Sequence, residues 1–388
     1  MNWFMAKGKR KHQFQKAKIC FFLISILIFC VGCEKKQVTN AHNNLVAGND
    51  FFADSILSVI HKNLEIFPNH TQVSFAAIVK HNLYFYGVIR ENDSLSFIEN
   101  HNRVFEIGSV TKVFTSTILA NLIVDGTIRA DDIINQYLDF QLKDSIAFTF
   151  ESLSNHSSGL PRMPSNFTLQ AIINRNNPYK NYKEKDLKKY LTNDLKLTYK
   201  QGENSEYSNL GAGLLGYAIE KVTGQNYQQL VHDKVFLKYD MKSSTTIKQD
   251  ITDILVMGRN NKGKITPNWD LSVLIGAGGI YSTVEDLAKF AVAQFNIANS
   301  ELRLTQIKTF TVNDDMDMGL GWHIIKQKAD GEIFWHNGGT GGYRSSMAVD
   351  VENQNGIIIL SNISAFHENA DKIDFLCFQL MKHLKERN

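Results

Sequence analysis

Cysteine and proline are scarce in this chain of 388 residues. Three of the 4 cysteines lie within the first 33 residues, and only Cys377 lies beyond them. This distribution excludes a disulfide framework and a cysteine-based zinc site in the main part of the chain. With only 5 prolines and 25 glycines, the chain is also neither collagen-like nor of low complexity.

Two catalytic signatures are missing as well. The 12 histidines form no H-x-H and no H-E-x-x-H pattern, which argues against a hydrolytic zinc centre of either kind. No G-x-S-x-G pattern occurs, so the nucleophile elbow of α/β-hydrolases is absent. We therefore expect a site without a metal ion.

Positive charge is lacking where a nucleic-acid partner would need it. The formal net charge is +3, but the first 33 residues hold six Lys or Arg residues and no acidic one. The rest of the chain therefore has a small acidic surplus. Because binding to nucleic acid needs a basic face that neutralises phosphates, we predict no nucleic-acid partner.

The chain does have the composition of a large globular protein, with 43% hydrophobic and 21% charged residues. This balance supplies enough apolar surface for a core, which excludes disorder as an overall description. At about 150 residues per domain, the length predicts two domains or one domain with a large insertion.

The N-terminus has the pattern of an export signal. Residues 1–18 are basic, and Ile19–Val31 form an apolar run of about 13 residues. Such a run is too short to cross the ~30 Å hydrocarbon core of a bilayer comfortably and is typical of a secretory signal. We predict a signal peptide over residues 1–33, with an uncleaved anchor as the alternative.

The apolar run ends at Gly32-Cys33, which resembles a bacterial lipobox, with Cys30 where that motif normally has Leu. The resemblance implies a lipid anchor on Cys33. The protein would then be exported and held at a membrane of the cell envelope, inner or outer, facing the periplasm. The polar residues 34–50 would form a tether. A plain signal peptide without a lipid is the alternative.

Hydrophobic periodicity predicts a mixed α/β (α+β) fold for residues 51–388. The simplest assembly is a sheet built from both chain ends (51–130 and 271–388), with a mainly helical insert over 131–270. Turns are predicted at Gly341-Gly342 and Asn355-Gly356. The predicted helices are 51–67, 109–124, 184–191, 211–222, 284–295 and 373–384, and the predicted strands are 73–79, 83–88, a strand from 334, 343–351 and 357–360.

The first candidate motif, Ser109-Val110-Thr111-Lys112, lies at the start of a predicted helix. Residues i and i+3 share a helix face, so the lysine amine lies beside the serine hydroxyl. Serine is a weak nucleophile without a nearby base, and a partly desolvated lysine can help to activate it. A capping serine with a solvated lysine is the alternative, but Lys112 falls early in an otherwise apolar helix.

The second motif is Tyr207-Ser208-Asn209. A phenol can act as a general base if cations lower its pKa, and an amide can orient a ligand carbonyl. The alternative is a loop that caps a helix and half-buries the ring. A rival, Tyr179-Lys180-Asn181, lies in a polar stretch with no apolar segment to position it, so we favour Tyr207.

The third motif, His336-Asn337-Gly338-Gly339, enters the C-terminal strands. Glycines let a substrate backbone approach closely, and a strand N–H can stabilise an oxyanion. A glycine-rich hairpin is the alternative. A fourth pattern, Gly211–Gly216, fits G-x-G-x-x-G but follows a polar segment instead of a buried strand, so it predicts close helix packing and no dinucleotide site.

Together the three motifs resemble the serine β-lactamase and penicillin-binding-protein group, class C branch, over about residues 51–385. Several further blocks agree in order with that family. They are Phe105–Ser109, Leu153–Pro161, Gly202–Gly216, Gly276–Gly279, Ser282–Phe290 and Gly319–Trp322. The resemblance implies a β-lactamase/transpeptidase-like fold, with an antiparallel sheet flanked by helices and an inserted helical subdomain.

The resemblance also implies roles for single residues. Ser109 would be the acylated nucleophile, and Lys112 and Tyr207 would share the proton transfers, either of them being the base. Asn209 would hold a substrate amide, and the backbone N–H groups of Ser109 and Gly339 would form the oxyanion hole. Acylation and hydrolysis by water would follow, without a metal ion or organic cofactor.

At His336 the sequence departs from β-lactamases of this class, which usually have Lys-Thr-Gly there. A His with Gly338 two positions later looks more like certain DD-carboxypeptidases and esterase-like relatives. Arg344, near the following turn, could make the contact to a substrate carboxylate, a surface Arg being the alternative. His336, Gly338 and Arg344 are thus predicted to bind substrate.

The expected function is that of a serine hydrolase acting on β-lactams or D-alanyl-D-alanine peptides of the cell wall. An esterase on the same fold is the nearest alternative. A β-lactam or peptidoglycan sensor, acylated but slow to deacylate, is the alternative from a different class of protein.

Overall fold

A computed structural model describes residues 51–327 and 331–386. The predicted signal peptide, the lipid site Cys33 and the tether lie outside the described residues, so they stay predictions. Within the described ranges, no helix is long and apolar enough to cross a lipid bilayer.

The described chain contains the following helices and strands, numbered in chain order. The helices are α1 (Asp54–Leu64), α2 (Thr111–Val124), α3 (Phe150–Ser154), α4 (Thr168–Ile173), α5 (Glu184–Lys189), α6 (Asn209–Thr223), α7 (Tyr227–Val231), α8 (Val284–Ala293), α9 (Ser300–Gln306) and α10 (Lys372–Glu386). The strands are β1 (Gln72–Val79), β2 (Asn82–Glu91), β3 (Ser94–Phe97), β4 (Phe105–Glu106), β5 (Tyr281–Ser282), β6 (Phe310–Asn313), β7 (Met316–Met318), β8 (His323–Gln327), β9 (Gly331–Gly339), β10 (Arg344–Asp350) and β11 (Asn355–Ser361).

The main sheet joins strands from both ends of the described chain. Its nine described strands follow the order β3-β2-β1-β11-β10-β9-β8-β7-β6, and each neighbouring pair is antiparallel. The first strand, β1, pairs with β11, with Val73 opposite Ser361 and Ala77 opposite Ile357. The predicted antiparallel sheet built from both chain ends and flanked by helices is confirmed.

Helices cover both faces of the central strands, so nearly every side chain of these strands is buried. This explains why their sequences are continuous apolar runs. In β1, Ala76 and Ile78 belong to the larger core, which includes α2, α6 and α8. Their neighbours Phe75 and Ala77 belong to a second core with α1 and α10. Side chains alternate between faces along a strand, so the sheet separates two helical layers.

Glycines let α6 pack closely, as the G-x-G-x-x-G pattern predicts. A Cβ on Gly213 would lie 2.5 Å from Leu274 Cδ2, and a Cβ on Gly216 would lie 3.2 Å from Gly276 Cα. Both neighbours belong to the 3₁₀ segment Ser272–Ala277. This contact holds the segment that ends at Ala277 against the helix that starts at Asn209.

One predicted turn is wrong. Asn355 and Gly356 lie inside β11, where Asn355 pairs with Asp350, so the turn occupies residues 351–354. Asp350 closes it, because its carboxylate accepts hydrogen bonds from the backbone N–H (3.0 Å) and side-chain amide (3.0 Å) of Asn353. Gln354, with φ of 55°, takes the left-handed position that the sequence assigned to glycine.

The predicted turn at Gly341-Gly342 is confirmed, since β9 ends at Gly339 and β10 begins at Arg344. Strands β6, β7 and β8, which extend the sheet beyond β9, were not predicted from the sequence. These strands are short, and β6 alternates between intermediate and exposed positions, so they lack the apolar runs that revealed the central strands.

Candidate active site

Ser109 lies in a tight connection between the short strand β4 and helix α2. Gly108 has a φ of +52°, and the 3₁₀ turn Gly108–Val110 precedes α2. The helix predicted to begin at Ser109 therefore begins two residues later, because α2 starts at Thr111. The turn leaves Ser109 partly exposed while Lys112, three residues later, is 2% exposed.

The amine of Lys112 connects three parts of the site. Its Nζ atom lies within hydrogen-bond distance of Ser109 Oγ (3.1 Å) and donates to Asn209 Oδ1 (2.9 Å) and to the carbonyl oxygen of Ala277 (2.7 Å). Burial holds the pKa of Lys112 well below its usual value, and the positive charge of Arg162 lowers it further. Lys112 therefore loses its proton at a pH well below the pKa of a free lysine.

Tyr207 lies against the same amine. Its ring centroid is 4.7 Å from Lys112 Nζ and 5.0 Å from Arg162 Cζ. Burial raises the pKa of Tyr207, and a hydrogen bond with Ser109 and the charge of Arg162 oppose that rise. The phenol therefore stays protonated at neutral pH, and its hydroxyl acts at Ser109 as a neutral group.

The start of α6 places Tyr207 and Asn209. Ser208 caps the helix, because its Oγ accepts a hydrogen bond from Gly211 N (2.8 Å). Asn209 is the first residue of the helix, and its Nδ2 donates to the hydroxyl of Tyr179 (3.2 Å). Because Ser208 caps the helix, it fixes the positions of its two neighbours, Tyr207 and Asn209.

Strand β9 passes directly behind the nucleophile. A Cβ on Gly338 would lie 2.0 Å from the carbonyl oxygen of Ile107 and 2.9 Å from Ser109 N. A Cβ on Gly108 would lie 2.6 Å from Gly339 N. The backbones of the two segments touch, so the N–H groups of Ser109 and Gly339, predicted to form the oxyanion hole, belong to adjoining backbone segments.

The imidazole of His336 lies behind the wall of the site. The residue is 1% exposed, its Nδ1 lies 2.7 Å from the carbonyl oxygen of Asn337, and its buried Nε2 has no partner among the described residues. Its ring centroid is 6.3 Å from that of Tyr207 and 5.1 Å from that of His323. Burial and the neighbouring His323 hold the pKa of His336 well below its usual value, so it is neutral.

Arg344 lies at the cavity but is already paired. Its guanidinium forms an ion pair with Asp374 on α10, and Asp374 Oδ2 also accepts a hydrogen bond from Asn337 Nδ2 (2.8 Å). Burial raises the pKa of Asp374, and Arg344 opposes the rise. Substrate contacts of His336 and Arg344 stay predictions, and any contact of Arg344 would be shared with this carboxylate.

These residues surround a cavity of about 680 Å³ with Ser109 in its wall. Aromatic side chains and three arginines make up much of the lining. The lining residues are Ser109, Arg162, Met163, Phe167, Ala171, Arg175, Pro178, Tyr179, Tyr207, Asn209, Trp269, His323, Trp335, Asn337, Gly338, Gly339, Arg344, Ala365 and Phe366. Nowhere in the described ranges do three or more His, Cys, Asp or Glu side chains form a group suited to a metal ion.

Two buried residues, one in the cavity wall and one behind it, were not predicted from the sequence. Tyr179, set aside because its surroundings are polar, is 6% exposed and packs 4.9 Å from Phe167 and 5.3 Å from Trp269, ring centroid to ring centroid. Glu106 accepts a hydrogen bond from Trp269 N (2.8 Å), and burial raises its pKa to about 7. In the sequence, the sign of this buried carboxyl group is a glutamate that interrupts the apolar stretch before Ser109.

Comparison with known proteins agrees with this geometry. The family described as Beta-lactamase matches residues 90–376. The chain is 26% identical over 303 residues to the D-alanyl-D-alanine-carboxypeptidase/endopeptidase AmpH of Escherichia coli, covering 71% of this chain and 76% of that protein. It is 24% identical over 306 residues to penicillin-binding protein 4* of Bacillus subtilis, covering 74% of this chain and 65% of that protein.

Two more similarities extend the comparison. The chain is 26% identical to Beta-lactamase-like protein 2 of Dictyostelium discoideum over 68% of its own length, and it spans only 50% of that relative. The crystal structure of a beta-lactamase/D-alanine carboxypeptidase from Pseudomonas syringae has the same fold, with a TM-score of 0.70 and 18% identity, over 85% of this chain and 99% of that one. The protein belongs to the serine β-lactamase and penicillin-binding-protein family, a family of hydrolases.

Proposed function

We propose that this protein is a serine hydrolase that forms an acyl-enzyme on Ser109 and acts on β-lactams or D-alanyl-D-alanine peptides. The observation that carries the proposal is the hydrogen bond between the buried amine of Lys112 and Ser109 Oγ (3.1 Å), at the wall of a cavity. A serine paired with a buried amine is an activated nucleophile. A serine with a purely structural role does not need such a partner.

The contacts of Lys112 favour it as the base. Two of its three partners, Asn209 Oδ1 and the carbonyl oxygen of Ala277, are acceptors and each takes one N–H. A neutral amine has two N–H groups and one lone pair, so the lone pair faces Ser109 and can take the hydroxyl proton. Tyr207, whose pKa burial raises, then passes protons as a neutral phenol.

The reaction follows from this arrangement. Ser109 Oγ attacks the substrate carbonyl carbon while its proton moves to Lys112 Nζ, and the backbone N–H groups of Ser109 and Gly339 stabilise the oxyanion. The leaving amine takes that proton through the Tyr207 hydroxyl as the bond to carbon breaks. Water then attacks the acyl-enzyme and gives a proton to the same relay, which returns it to Ser109 Oγ as the bond to the acyl carbon breaks and the acid leaves.

An esterase on the same fold is the second candidate. A neutral, buried His336 stands where β-lactamases of this class usually have a fixed positive charge. A neutral group gives little attraction to a substrate carboxylate, whereas an ester without a carboxylate does not require it. Turnover of a chromogenic cephalosporin, a D-Ala-D-Ala peptide and a p-nitrophenyl ester by the purified protein separates the two candidates.

Labelling by a fluorescent penicillin and by a fluorophosphonate tests the nucleophile. We expect Ser109→Ala to abolish labelling by both probes, because among the described residues Ser109 has the one hydroxyl within hydrogen-bond distance of Lys112 Nζ. Ser116→Ala is the matched control on α2, the helix that follows Ser109, since Ser116 is buried and its Oγ is bonded to Ser154 Oγ (2.7 Å). Undiminished labelling of folded Ser109→Ala protein would overturn the assignment.

The time course of product release separates an enzyme from a sensor. A hydrolase turns over many equivalents, whereas a protein that acylates without deacylating releases one equivalent of leaving group and stops. We expect steady turnover after any burst. A single stoichiometric burst with every substrate would leave the acylation step intact and exclude hydrolysis as the function.

A further inference from the structure

The charges around the cavity are all of one sign. Three arginines line it, namely Arg162, Arg175 and Arg344, and none of the described lining residues is acidic. Only Arg344 has a carboxylate partner, which is Asp374. In the described part of the chain, Arg162 and Arg175 form no ion pair with a carboxylate, and both are exposed.

Arg162 and Arg344 are held by different elements of the fold. The backbone carbonyl of Arg162 accepts hydrogen bonds from Asn209 N (3.1 Å) and Leu210 N (3.2 Å), which fixes it beside the amide of Asn209. Arg344 lies on β10 and is paired in register with Gly339, at the oxyanion side of Ser109. Arg162 is thus tied to the start of α6, which carries Asn209, whereas Arg344 is tied to the strand pair that carries Gly339.

The wall near Arg162 and Arg175 is apolar as well as cationic. The same stretch of chain contributes Met163, Phe167 and Pro178 to the lining. An apolar surface lowers the local dielectric constant, and this strengthens the attraction between a guanidinium and an anion. A short aliphatic spacer that ends in a carboxylate would match both properties of this wall.

We propose that Arg162 and Arg175 form a subsite for a negatively charged group on the acyl part of the substrate. The inference rests on the proposed function, in which Asn209 holds the acyl amide, so the acyl side chain extends along the wall formed by residues 162–178. The subsite does not use Arg344, which is already paired with Asp374. The preferred substrates carry a carboxylate on the acyl side chain, one spacer away from the scissile bond.

Arg162 also stacks on Tyr207, with 5.0 Å between Arg162 Cζ and the ring centroid. A variant at this position therefore changes proton transfer as well as any substrate contact. Two substrates that differ only in charge separate these effects. A change in proton transfer alters kcat/KM for both substrates equally, whereas a lost contact to the charged group alters it for the anionic substrate alone. Arg175 has no contact with the catalytic groups among the described residues, so it gives an independent measurement.

The experiment compares isosteric substrate pairs in two reaction classes. One pair is N-acetyl-L-glutamyl-D-alanyl-D-alanine and its glutaminyl counterpart, and the other is p-nitrophenyl hydrogen adipate and its adipamate. The quantity measured is the ratio of kcat/KM for the anionic substrate to kcat/KM for the neutral one, at pH 7.5 and low salt. We expect wild-type protein to favour the anion in whichever pair it hydrolyses.

The variants are Arg162→Gln, Arg175→Gln and the double variant. Each single change is expected to lower the ratio by roughly two- to fivefold, as for an exposed ion pair, and the double change to bring it near one. Lys180→Gln is the control, because Lys180 is exposed on the same loop, lies outside the cavity lining and carries the same charge. Its ratio should match the wild type.

Two outcomes overturn the proposal in distinguishable ways. A ratio that is unchanged in both arginine variants, with Ser109-dependent turnover intact, excludes the subsite and leaves the proposed function standing. A ratio lowered equally by Lys180→Gln assigns the effect to overall charge and also excludes the subsite. Absence of Ser109-dependent turnover of all four substrates and of a chromogenic cephalosporin contradicts the proposed function and removes the subsite with it. Turnover of the cephalosporin alone leaves the proposed function standing and excludes the preference for these anionic acyl groups.

Discussion

At the scale of the residue, the site depends on a lysine that is 2% exposed and makes three polar contacts. Taking an ammonium group out of water is unfavourable, so burial favours the neutral amine that a base requires. The same burial acts against the phenolate of Tyr207, since burial raises the pKa of Tyr207. One environment therefore prepares Lys112 to accept a proton and prevents Tyr207 from losing one.

This asymmetry predicts the pH dependence of acylation. Activity should rise with pH as Lys112 loses its proton, and because its pKa is lowered, this acid limb should lie well below pH 10.5. Tyr207→Phe should reduce kcat/KM by about 10- to 100-fold, because proton transfer to the leaving group is impaired, without moving the limb. The measurement is kcat/KM for one substrate from pH 5 to 10 in both proteins.

Lys112→Arg provides the comparison, because a guanidinium stays protonated and cannot act as the base. We expect this variant to lose acylation at every pH. If the acid limb instead disappeared or moved in Tyr207→Phe, the phenol would be the titrating base and Lys112 a permanently charged partner.

Single residues of the site differ in how far the sequence could predict them. Ser109 and Lys112 are three positions apart, so helix geometry alone places them together. The contact between Asn209 Nδ2 and Tyr179 spans 30 positions, and the pair Arg344–Asp374 also spans 30, across a strand and a helix. Local spacing says nothing about such contacts, which depend on how the elements pack.

At the scale of the element, the active site is a contact between β9 and the 3₁₀ turn before α2. Gly338 and Gly108 let the two backbones touch, with each missing side chain leaving room for the other segment. The sequence could mark Gly338 and Gly339 as a close approach, but it could not say that the neighbour is Ile107 or Ser109. That information lies in the packing of β9 on the turn.

Gly338→Ala tests this contact. The new Cβ would lie 2.0 Å from the carbonyl oxygen of Ile107 and 2.9 Å from Ser109 N, so backbone must move. Displacing an oxyanion donor typically costs 10²- to 10³-fold in kcat, and we expect a loss of that size with KM changed much less. Steady-state kinetics and circular dichroism of the purified variant measure activity and fold separately.

Gly211→Ala is the matched control for that variant. Gly211 lies in the first turns of α6 beside Asn209, and a Cβ there would have its nearest neighbours at 3.4 Å, an ordinary contact. Alanine also favours a helix by roughly 0.5–1 kcal/mol over glycine, so stability should rise slightly with activity near wild type. Equal losses in both variants would contradict a specific role for the β9 contact.

The elements that the sequence predicted well are those with long apolar patterns. The observed bounds lie within three residues of the predicted ones at each end for β1, β2, α2 and α10. Each of these elements buries one face or its whole surface, which gives a clear apolar pattern in the sequence. The turn before β11 was misplaced because Asp350 and Gln354 form it without a glycine. Side-chain hydrogen bonding to a turn backbone leaves a weaker trace in the sequence than glycine does.

At the scale of the whole molecule, one sheet supports two helical layers. Ile358 belongs to the core on the catalytic side, and its neighbour Ile359 belongs to the core under α1 and α10. Both side chains are fully buried. Since β11 contributes to both layers, the layers share a strand and should lose their structure together.

Ile358→Ala and Ile359→Ala test this coupling. Each should lower the free energy of unfolding by about 2–5 kcal/mol, the usual cost of truncating a buried isoleucine. Urea unfolding followed by tryptophan fluorescence and by far-ultraviolet circular dichroism should give one midpoint per variant. Trp322 belongs to the core on the catalytic side and Trp335 packs against the other core, so fluorescence follows both layers, and unfolding in two steps would mean that the layers unfold independently.

The pairing of β1 with β11 has a consequence for the time at which the protein can fold. Gln72 N donates to Asn362 Oδ1 (2.7 Å) across 290 positions of the chain, at the end of this strand pair. Ribosomes add about 5–20 residues per second, so β1 is made roughly 15–60 s before the strand that completes its edge. During that interval β1 can pair with β2 alone, and its open edge is a template for wrong partners. Completion of the sheet must therefore wait until β11 has been synthesised, and completion of the second core must wait for α10 as well.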